Sequence, residues 1–382
     1  VDVPELGIGL IGSKFMGRAH SNAWMSAHRF FDLPETPAMR SVAATKADDL
    51  AAFATRWGWE RSTTSWRDLV GDPDIDLVDV TTPNHLHAEQ SIAALEAGQH
   101  VACEKPLAGT LDDARRMAAA AAASSARTFV WYSYRRVPAL GLAYRLIAQG
   151  RIGRVYHVRA AYLQGWGGAD TPLVWRFDAT QAGSGALGDL GAHIVDLARF
   201  LTGDEITEVT GAIEERFIPD RALPDDPTRR EPSTVDDAVL FLARFAGGAV
   251  GSFEATRLAT GVKNANRIEI HGELGALAFD FTRMNELRFW DASSPASEAG
   301  WTTIQTTHAD HPWCAAYWPD GHGLGYEHTF VNQAADIIRA LAGQDPEVPL
   351  PDFADAYVTQ RVLESVVTSA RRRAPVALDE IR

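Results

Sequence analysis

Apolar runs and polar breaks alternate along the first third of the chain at the spacing of strand–helix–strand units. Short apolar stretches at 6–11, 39–44, 77–81, 100–103 and 128–132 read as buried strands. Between them, helical periodicity covers 16–25, 48–57 and 85–97, with Gly98 as a stop signal. A fourth helix starts at Thr110, where Asp113 three residues on makes a short capping box. This alternation predicts βαβ units and a parallel sheet. Residues 1–130 therefore read as a doubly wound, Rossmann-type dinucleotide-binding domain.

The pattern then changes. Strands are expected at 155–163, 206–217, 238–245, 249–256, 267–271, 276–281 and 286–290, several joined by hairpin-type turns such as Ala246-Gly247-Gly248. Helices are expected at 182–201, 326–342 and 352–371. Residues 131–382 thus read as a second α/β domain with a mostly antiparallel open sheet and helices on one face. The stretch 219–232 holds four prolines and many charges and reads as a mobile loop; 293–325, rich in Trp, His and Gly, reads as an irregular structured loop beside a site.

Composition narrows the function classes. A length of 382 residues favours two domains, and 46% hydrophobic with 23% charged residues is the balance of a globular chain. A net charge of −14 argues against nucleic acid and anionic membranes as partners. The longest alanine-rich apolar stretch, 117–123, is far short of the ~18 residues of a membrane span. Two cysteines, Cys103 and Cys314, make no disulfide framework, and residues 1–5 lead straight into a strand without a signal segment, so a cytoplasmic location is expected. His308, His311, Cys314, His322 and His328 lack the paired spacing of zinc ligands, and no metal is expected.

Five segments carry candidate chemistry. Gly9 to Gly17 follows a strand and opens a helix, the context of a dinucleotide fingerprint. There Gly12 permits the tight turn, Gly17 lets helix and strand approach, and Ser13, Lys14, Phe15 and Met16 line the helix start. Lys14 stands where the middle glycine belongs. At the end of the second strand Ala44 replaces the acid that usually binds the adenosine ribose, and Thr45 and Lys46 follow, which suits a 2′-phosphate; the reading leans to NADP within NAD(P). Thr82, Pro83, Asn84 and His87 lie past a third strand end, the ligand-binding edge of such sheets. Glu104-Lys105-Pro106 follows a fourth, where a lysine can polarise a substrate oxygen. Finally, Asp189 and His193 are spaced i and i+4, which stacks them on one helical face within a glycine-dense segment. Each segment alone also fits a structural role: a glycine turn, a surface salt bridge, a helix histidine.

Taken in order, the glycine turn with His20, Thr82-Pro83-Asn84 with His87, Glu104-Lys105-Pro106, and Asp189 with His193 resemble the glucose–fructose oxidoreductase / inositol dehydrogenase (Gfo/Idh/MocA) family over nearly the whole chain. Tyr134-Arg135-Arg136-Val137-Pro138, Trp175-Arg176-Phe177 and Glu254-Ala255-Thr256-Arg257 resemble its levoglucosan dehydrogenase branch. The resemblance implies NAD(P)-dependent oxidation of a secondary ring hydroxyl of a sugar, anhydrosugar or cyclitol. It implies that Lys105 hydrogen-bonds the reacting hydroxyl, Asp189 orients substrate and His193 is the acid/base. Glu104, Trp175 and Arg176 would then border the cofactor and Tyr134 and Arg135 the substrate, in a homodimer or homotetramer. Two other readings stay open: a non-catalytic sensor of nucleotide or sugar, and an enzyme that modifies glycosides with a permanently bound cofactor.

Overall fold

The computed structural model describes residues 3–381; the first two residues of the N-terminal lead lie outside the described residues. The chain forms two compact units. One comprises residues up to Arg136 together with Gly325–Tyr357, the other Val137–Leu324 and the segment from Val358. The division at 130/131 read from the pattern leaves Gly325–Tyr357 with the second domain, whereas in the structure it packs with the first unit.

The first unit runs β1 (Glu5–Ile11), α1 (Phe15–Phe30), β2 (Thr36–Ala43), α2 (Ala47–Trp57), β3 (Arg61–Thr63), β4 (Leu77–Val80), α3 (His87–Glu96), β5 (His100–Cys103), α4 (Leu111–Ala123) and β6 (Thr128–Val130). Its strands form one parallel sheet in the order β3-β2-β1-β4-β5-β6. Ile8, Leu10, Val78, Val80 and Val101 are wholly buried. Both sheet faces are therefore covered, which is why these strands read as continuous apolar runs rather than alternating ones. Strand order reverses between β1 and β4, and that switch point is the ligand edge of such sheets. Helix α1 outruns its expected end at 25 because Ala27 continues the buried stripe of Ala23 and Trp24. The edge strand β3 was not anticipated: Arg-Ser-Thr carries no apolar signal. Thr110 caps α4 as expected, its Oγ1 accepting the Asp113 N–H at 3.1 Å.

The second unit contains α5 (Pro138–Ala148), β7 (Val155–Leu163), a single turn α6 (Ala179–Ala182) and α7 (Ala192–Thr202). These are followed by β8 (Ile206–Glu215), β9 (Asp220–Ala222), β10 (Arg230–Pro232), β11 (Ala238–Phe245), β12 (Val250–Thr256), β13 (Ala265–Gly272), β14 (Gly275–Asp280), β15 (Glu286–Asp291), β16 (Thr302–Gln305) and β17 (Val376–Ala377). Nine of the strands make one sheet in the order β16-β15-β14-β13-β7-β12-β11-β8-β17, antiparallel except for the parallel pair β7 and β12. Two expectations change here. The stretch 219–232 is not a mobile loop but carries the hairpin β9–β10. Arg221 orders it: fully buried, it donates to the Gly167 and Gly168 carbonyls and pairs with Asp237 at 3.2 Å. The single helix expected at 182–201 is broken into α6, a wide π-type turn over Leu187–Gly191, and α7.

The chain then returns to the first unit with α8 (Tyr326–Leu341), which packs on α1, and α9 (Phe353–Arg372) crosses from the first unit into the second. Among the described residues no helix is long and apolar enough to cross a membrane.

The break between α6 and α7 depends on one glycine. A Cβ on Gly185 would stand 1.8 Å from the backbone oxygen of Asp236. Gly185→Ala must displace one of two backbone segments, and we expect a loss of at least about 2 kcal/mol, read as a lowered Tm and denaturation midpoint. A wild-type Tm in that variant would show that the approach is not demanded.

Candidate active site

In the first unit, β1 hands over to α1 through Gly12, which adopts φ +115° and donates its N–H to the Ala43 carbonyl at 2.8 Å. A Cβ there would lie 2.4 Å from Thr81 Oγ1, and one on Gly17 would lie 2.3 Å from the Gly12 oxygen. Both glycines are thus required by the packing of the turn itself. The helix that follows has Lys14 at its cap with no side-chain capping bond and no acid in its first turn. Its first N–H groups are the donors that a pyrophosphate needs. Lys14 is exposed, with Nζ 4.0 Å from Asp49, and Phe15 is 54% exposed. Ser13 and Met16 are half-buried beside them. At the neighbouring strand end Ala44 is half-buried, while Thr45 and Lys46 are exposed. These residues fit a nicotinamide dinucleotide, with the pyrophosphate at the start of α1 and the adenosine ribose beside Ala44.

The third and fourth strand ends are tied to each other. His87, fully buried, has Nε2 2.9 Å from the Thr82 carbonyl and Nδ1 3.1 Å from the Pro106 carbonyl. Burial pushes its pKa below the usual value, against the pull of those carbonyls and of Glu104. An enclosed ring of this kind reaches no ligand. In place of the direct cofactor contact expected of it, His87 braces the loops after β4 and β5 to each other. Thr82 Oγ1 donates to Gln90 at 2.7 Å, Pro83 is half-buried and Asn84 is buried.

Beneath the Glu104-Lys105-Pro106 loop lies a charged cluster that sequence spacing did not reveal. His20 Nδ1 is 2.9 Å from Asp79 Oδ2, and its Nε2 is 3.0 Å from Glu104 Oε1. Trp24 and Trp131 donate their indole N–H groups to Asp79 at 2.7 and 2.9 Å. The other Glu104 oxygen accepts the Lys105 backbone N–H at 3.0 Å. Burial opposes the charge on His20, but the Asp79 and Glu104 carboxylates outweigh it and raise its pKa to about 9. Lys105 itself is half-buried at the loop tip. Elsewhere in this unit Tyr134 is buried edge-on to Tyr326, and Arg135 pairs with Asp355 at 2.5 Å.

In the second unit Asp189 sits in the π-type turn and His193 in the first turn of α7. Asp236 organises the turn: its two oxygens accept the Gly185 and Leu187 N–H groups at 2.6 and 2.8 Å. Burial pushes its pKa up, and those two donors pull it back. Of the glycines around Asp189, Gly185 serves close backbone approach to Asp236. Arg257, buried, binds Asp189 Oδ2 at 2.9 Å and the Arg176 carbonyl at 3.0 Å. Arg176 stacks its guanidinium on Trp175 at 4.5 Å. His193 is 6% exposed, and its ring lies 5.7 Å from that of Tyr162. Asn264 Oδ1 accepts from both Tyr162 and Gln164 at 2.7 Å, and Trp166 donates to Gln164. Tyr162, Gln164, Asn264, Asp79 and Asp236 were missed. Their partners lie from 2 to 102 residues away, and no local period marks them.

Known proteins bear on both groups of residues. Residues 6–132 match the model of the oxidoreductase family with an NAD-binding Rossmann fold, and residues 142–278 that of the GFO/IDH/MocA C-terminal domain. The chain is 40% identical over 391 residues to levoglucosan dehydrogenase of Pseudarthrobacter phenanthrenivorans, covering 99% of each. The structure of an oxidoreductase domain protein from Kribbella flavida superposes with a TM-score of 0.94 at 53% identity, covering 98% of this chain and 99% of that one. A levoglucosan dehydrogenase in complex with NADH and levoglucosan superposes with a TM-score of 0.93 at 41% identity, with the same coverage.

The proton on His20 links stability to pH. Its folded pKa of about 9 stands above the ordinary 6.5, so the contribution is complete below pH 6.5 and is lost as pH rises through about 9. Unfolding free energy should therefore fall across this window, by an amount on the order of 3 kcal/mol. Urea denaturation at stepped pH measures it, and His20→Gln should flatten the slope. Equal slopes in both proteins would remove the charge assigned to His20.

Proposed function

The chain belongs to the GFO/IDH/MocA oxidoreductase family, and from that premise we propose that it oxidises one secondary hydroxyl of a neutral pyranose-like ring, an anhydrosugar such as levoglucosan ahead of free sugars and cyclitols. It is an NAD-binding oxidoreductase; the nicotinamide, when bound, accepts the hydride that leaves the carbinol carbon. His193 takes the hydroxyl proton as that oxygen becomes a carbonyl. Lys105 donates to the same oxygen and stabilises the charge that develops on it. Asp189, oriented by Arg257, accepts a hydrogen bond from a neighbouring ring hydroxyl.

One observation supports a neutral ring above others: three of the arginines that could clamp an anion are already engaged, and a fourth, Arg176, is stacked on Trp175. Arg257 holds Asp189, Arg135 holds Asp355, and Arg136 pairs with Asp336 at 3.0 Å. Beside His193 stands instead the neutral Tyr162, whose hydroxyl is hydrogen-bonded to the amides of Asn264 and Gln164. Hydroxyls match such groups, whereas a carboxylate or phosphate needs a free cation. NADH in the relative's complex supports NAD here; the missing acid at Ala44 and the exposed Thr45 and Lys46 support acceptance of NADP as well. The two buried thiols, Cys103 and Cys314, support a reducing cytoplasm.

A panel of levoglucosan, glucose, glucosides, inositols, gluconate and sugar phosphates, read by nicotinamide absorbance with both cofactors, tests this reading. Levoglucosan and neutral rings should turn over with NAD, NADP should give a measurable kcat/KM, and His193→Ala or Lys105→Ala should lower kcat by about 10²–10⁴-fold. Turnover confined to the anionic compounds removes the neutral ring. Wild-type kcat in the His193 variant removes its role, and no activity with NADP removes the part given to Thr45 and Lys46.

The outer side of the second unit's sheet supports self-association. Alternation along β8, β11 and β12 turns Ile213, Leu240, Leu242 and Val250 outward, each between 43% and 54% exposed, where a solvated face would carry polar residues. A homodimer or homotetramer through this face should be weakened by Leu242→Glu, measured by sedimentation velocity; a monomeric wild-type protein would overturn it.

A further inference from the structure

We propose that His20, held as an imidazolium between Asp79 and Glu104, is the positioning residue for Lys105. The inference rests on the role given to Lys105 above and adds the device that sets it.

Hydrogen-bond logic fixes the ring's protons. Indole N–H groups only donate. Asp79 receives two of them, from Trp24 and Trp131, so it acts as an acceptor and His20 Nδ1 must donate to it. Glu104 receives the Lys105 backbone N–H on Oε2 and faces His20 Nε2 with Oε1. With carboxylates accepting at both ends, the ring carries a proton on each nitrogen. Trp131 at 4.1 Å and Phe330 at 5.5 Å hold the ring in place.

A line of contacts therefore runs from Asp79 on β4, through His20 on α1, to Glu104 after β5, and ends on the backbone of Lys105. Glu104 cannot swing without breaking either its bond to His20 or its bond to Lys105. The same helix presents its N-terminus to the dinucleotide, so one rigid element sets both the cofactor seat and the base of the lysine loop.

The titratable groups around the ring are Asp79, Glu104, the Cys103 thiol beside both carboxylates, His87 near Glu104, and Lys105 itself. Burial pushes the Cys103 thiol well up and His87 down, so both are neutral at pH 7 to 8. The carboxylates raise His20 to about 9. Below that pH the clamp is complete. Above it the ring keeps one N–H, and Glu104 loses the donor that His20 supplied, keeping only the Lys105 N–H.

Side-chain amides separate the two bonds. An Asn amide reaches the place of Nδ1, whereas a Gln amide reaches that of Nε2. His20→Asn should lower kcat about 100-fold, the size of a misplaced catalytic group. His20→Gln, which restores a donor to Glu104, should stay within about tenfold of wild type. NADH affinity, read by fluorescence, should be unchanged in both. The wild-type kcat should decline near pH 9 in a limb that His20→Gln lacks. Independently of activity, nitrogen NMR of labelled histidine in the wild-type protein at pH 7.5 should show His20 protonated on both nitrogens, and Glu104→Gln should leave it protonated on Nδ1 alone. A singly protonated His20 in the wild-type protein overturns the proposal. So does a kcat within about twofold of wild type in both His20 variants, or the reverse ranking of Asn and Gln. Lys105→Ala, assayed alongside, keeps the two readings apart. Normal turnover there removes the lysine's role, whereas slow turnover there with normal His20 variants removes the positioning alone.

Discussion

Two carboxylates and one histidine are buried together in the first unit, and this cluster constrains much of what surrounds it. Asp79 and His20 are wholly buried and Glu104 is 4% exposed. An unpaired carboxylate in such a place costs several kcal/mol, and breaking one partner leaves that cost uncompensated. Each carboxylate is therefore met by donors drawn from separate elements: His20 and Trp24 from α1, Trp131 from just past β6, and the backbone of Lys105 from the loop after β5. Satisfying the cluster requires α1, β4, β5 and β6 to hold one mutual register. The parallel sheet supplies that register by hydrogen bonding, and the glycines at 12 and 17 let α1 come close enough to take part.

The second unit obeys the same rule by other means. Asp236 is spent on two backbone N–H groups, Asp237 on Arg221 and the Ile218 N–H, and Arg257 on Asp189. These pairings convert segments that are rich in Gly, Pro and charge into ordered structure. The π-type turn under Asp189 and the hairpin β9–β10 both exist because a buried charge needs partners that only a particular backbone path brings. A wide turn at Asp189 also fits the tendency of such turns to occur at functional sites.

Internal use of charge shapes what the protein can recognise. Four guanidinium groups are taken up internally by Asp189, Asp355, Asp336 and Asp237, while the phenol of Tyr162, bonded to two amides, stands beside His193. Hydrogen-bonding groups without net charge discriminate among hydroxyl patterns, and a dehydrogenase acting on a ring needs this discrimination to present one carbinol carbon in attack geometry. The first unit holds the opposite resource: α1 starts at Lys14 without a side-chain cap or an acid in its first turn, so its first backbone N–H groups are the kind of donors a phosphate takes.

Much of this was legible in the chain. Continuous apolar runs broken at helical spacing specified the parallel sheet, and period-two alternation specified the antiparallel one, because both signals lie within a few residues of each other. The glycine turn and the positions of the other motifs at strand ends were legible for the same reason: their geometry is local, whereas the unbroken helix expected under Asp189 and His193 is a π-type turn followed by α7. Tertiary structure alone decided that His87 braces two loops, that Arg135 and Arg257 pair internally, that 182–201 breaks where Asp236 binds Gly185 and Leu187, and that 219–232 folds onto Arg221. It also decided the partnership of His20 with residues 59 and 84 positions away. A buried charge accepts whichever complementary donor the fold brings within 3 Å, and a pair that far apart leaves no period for sequence reading to detect.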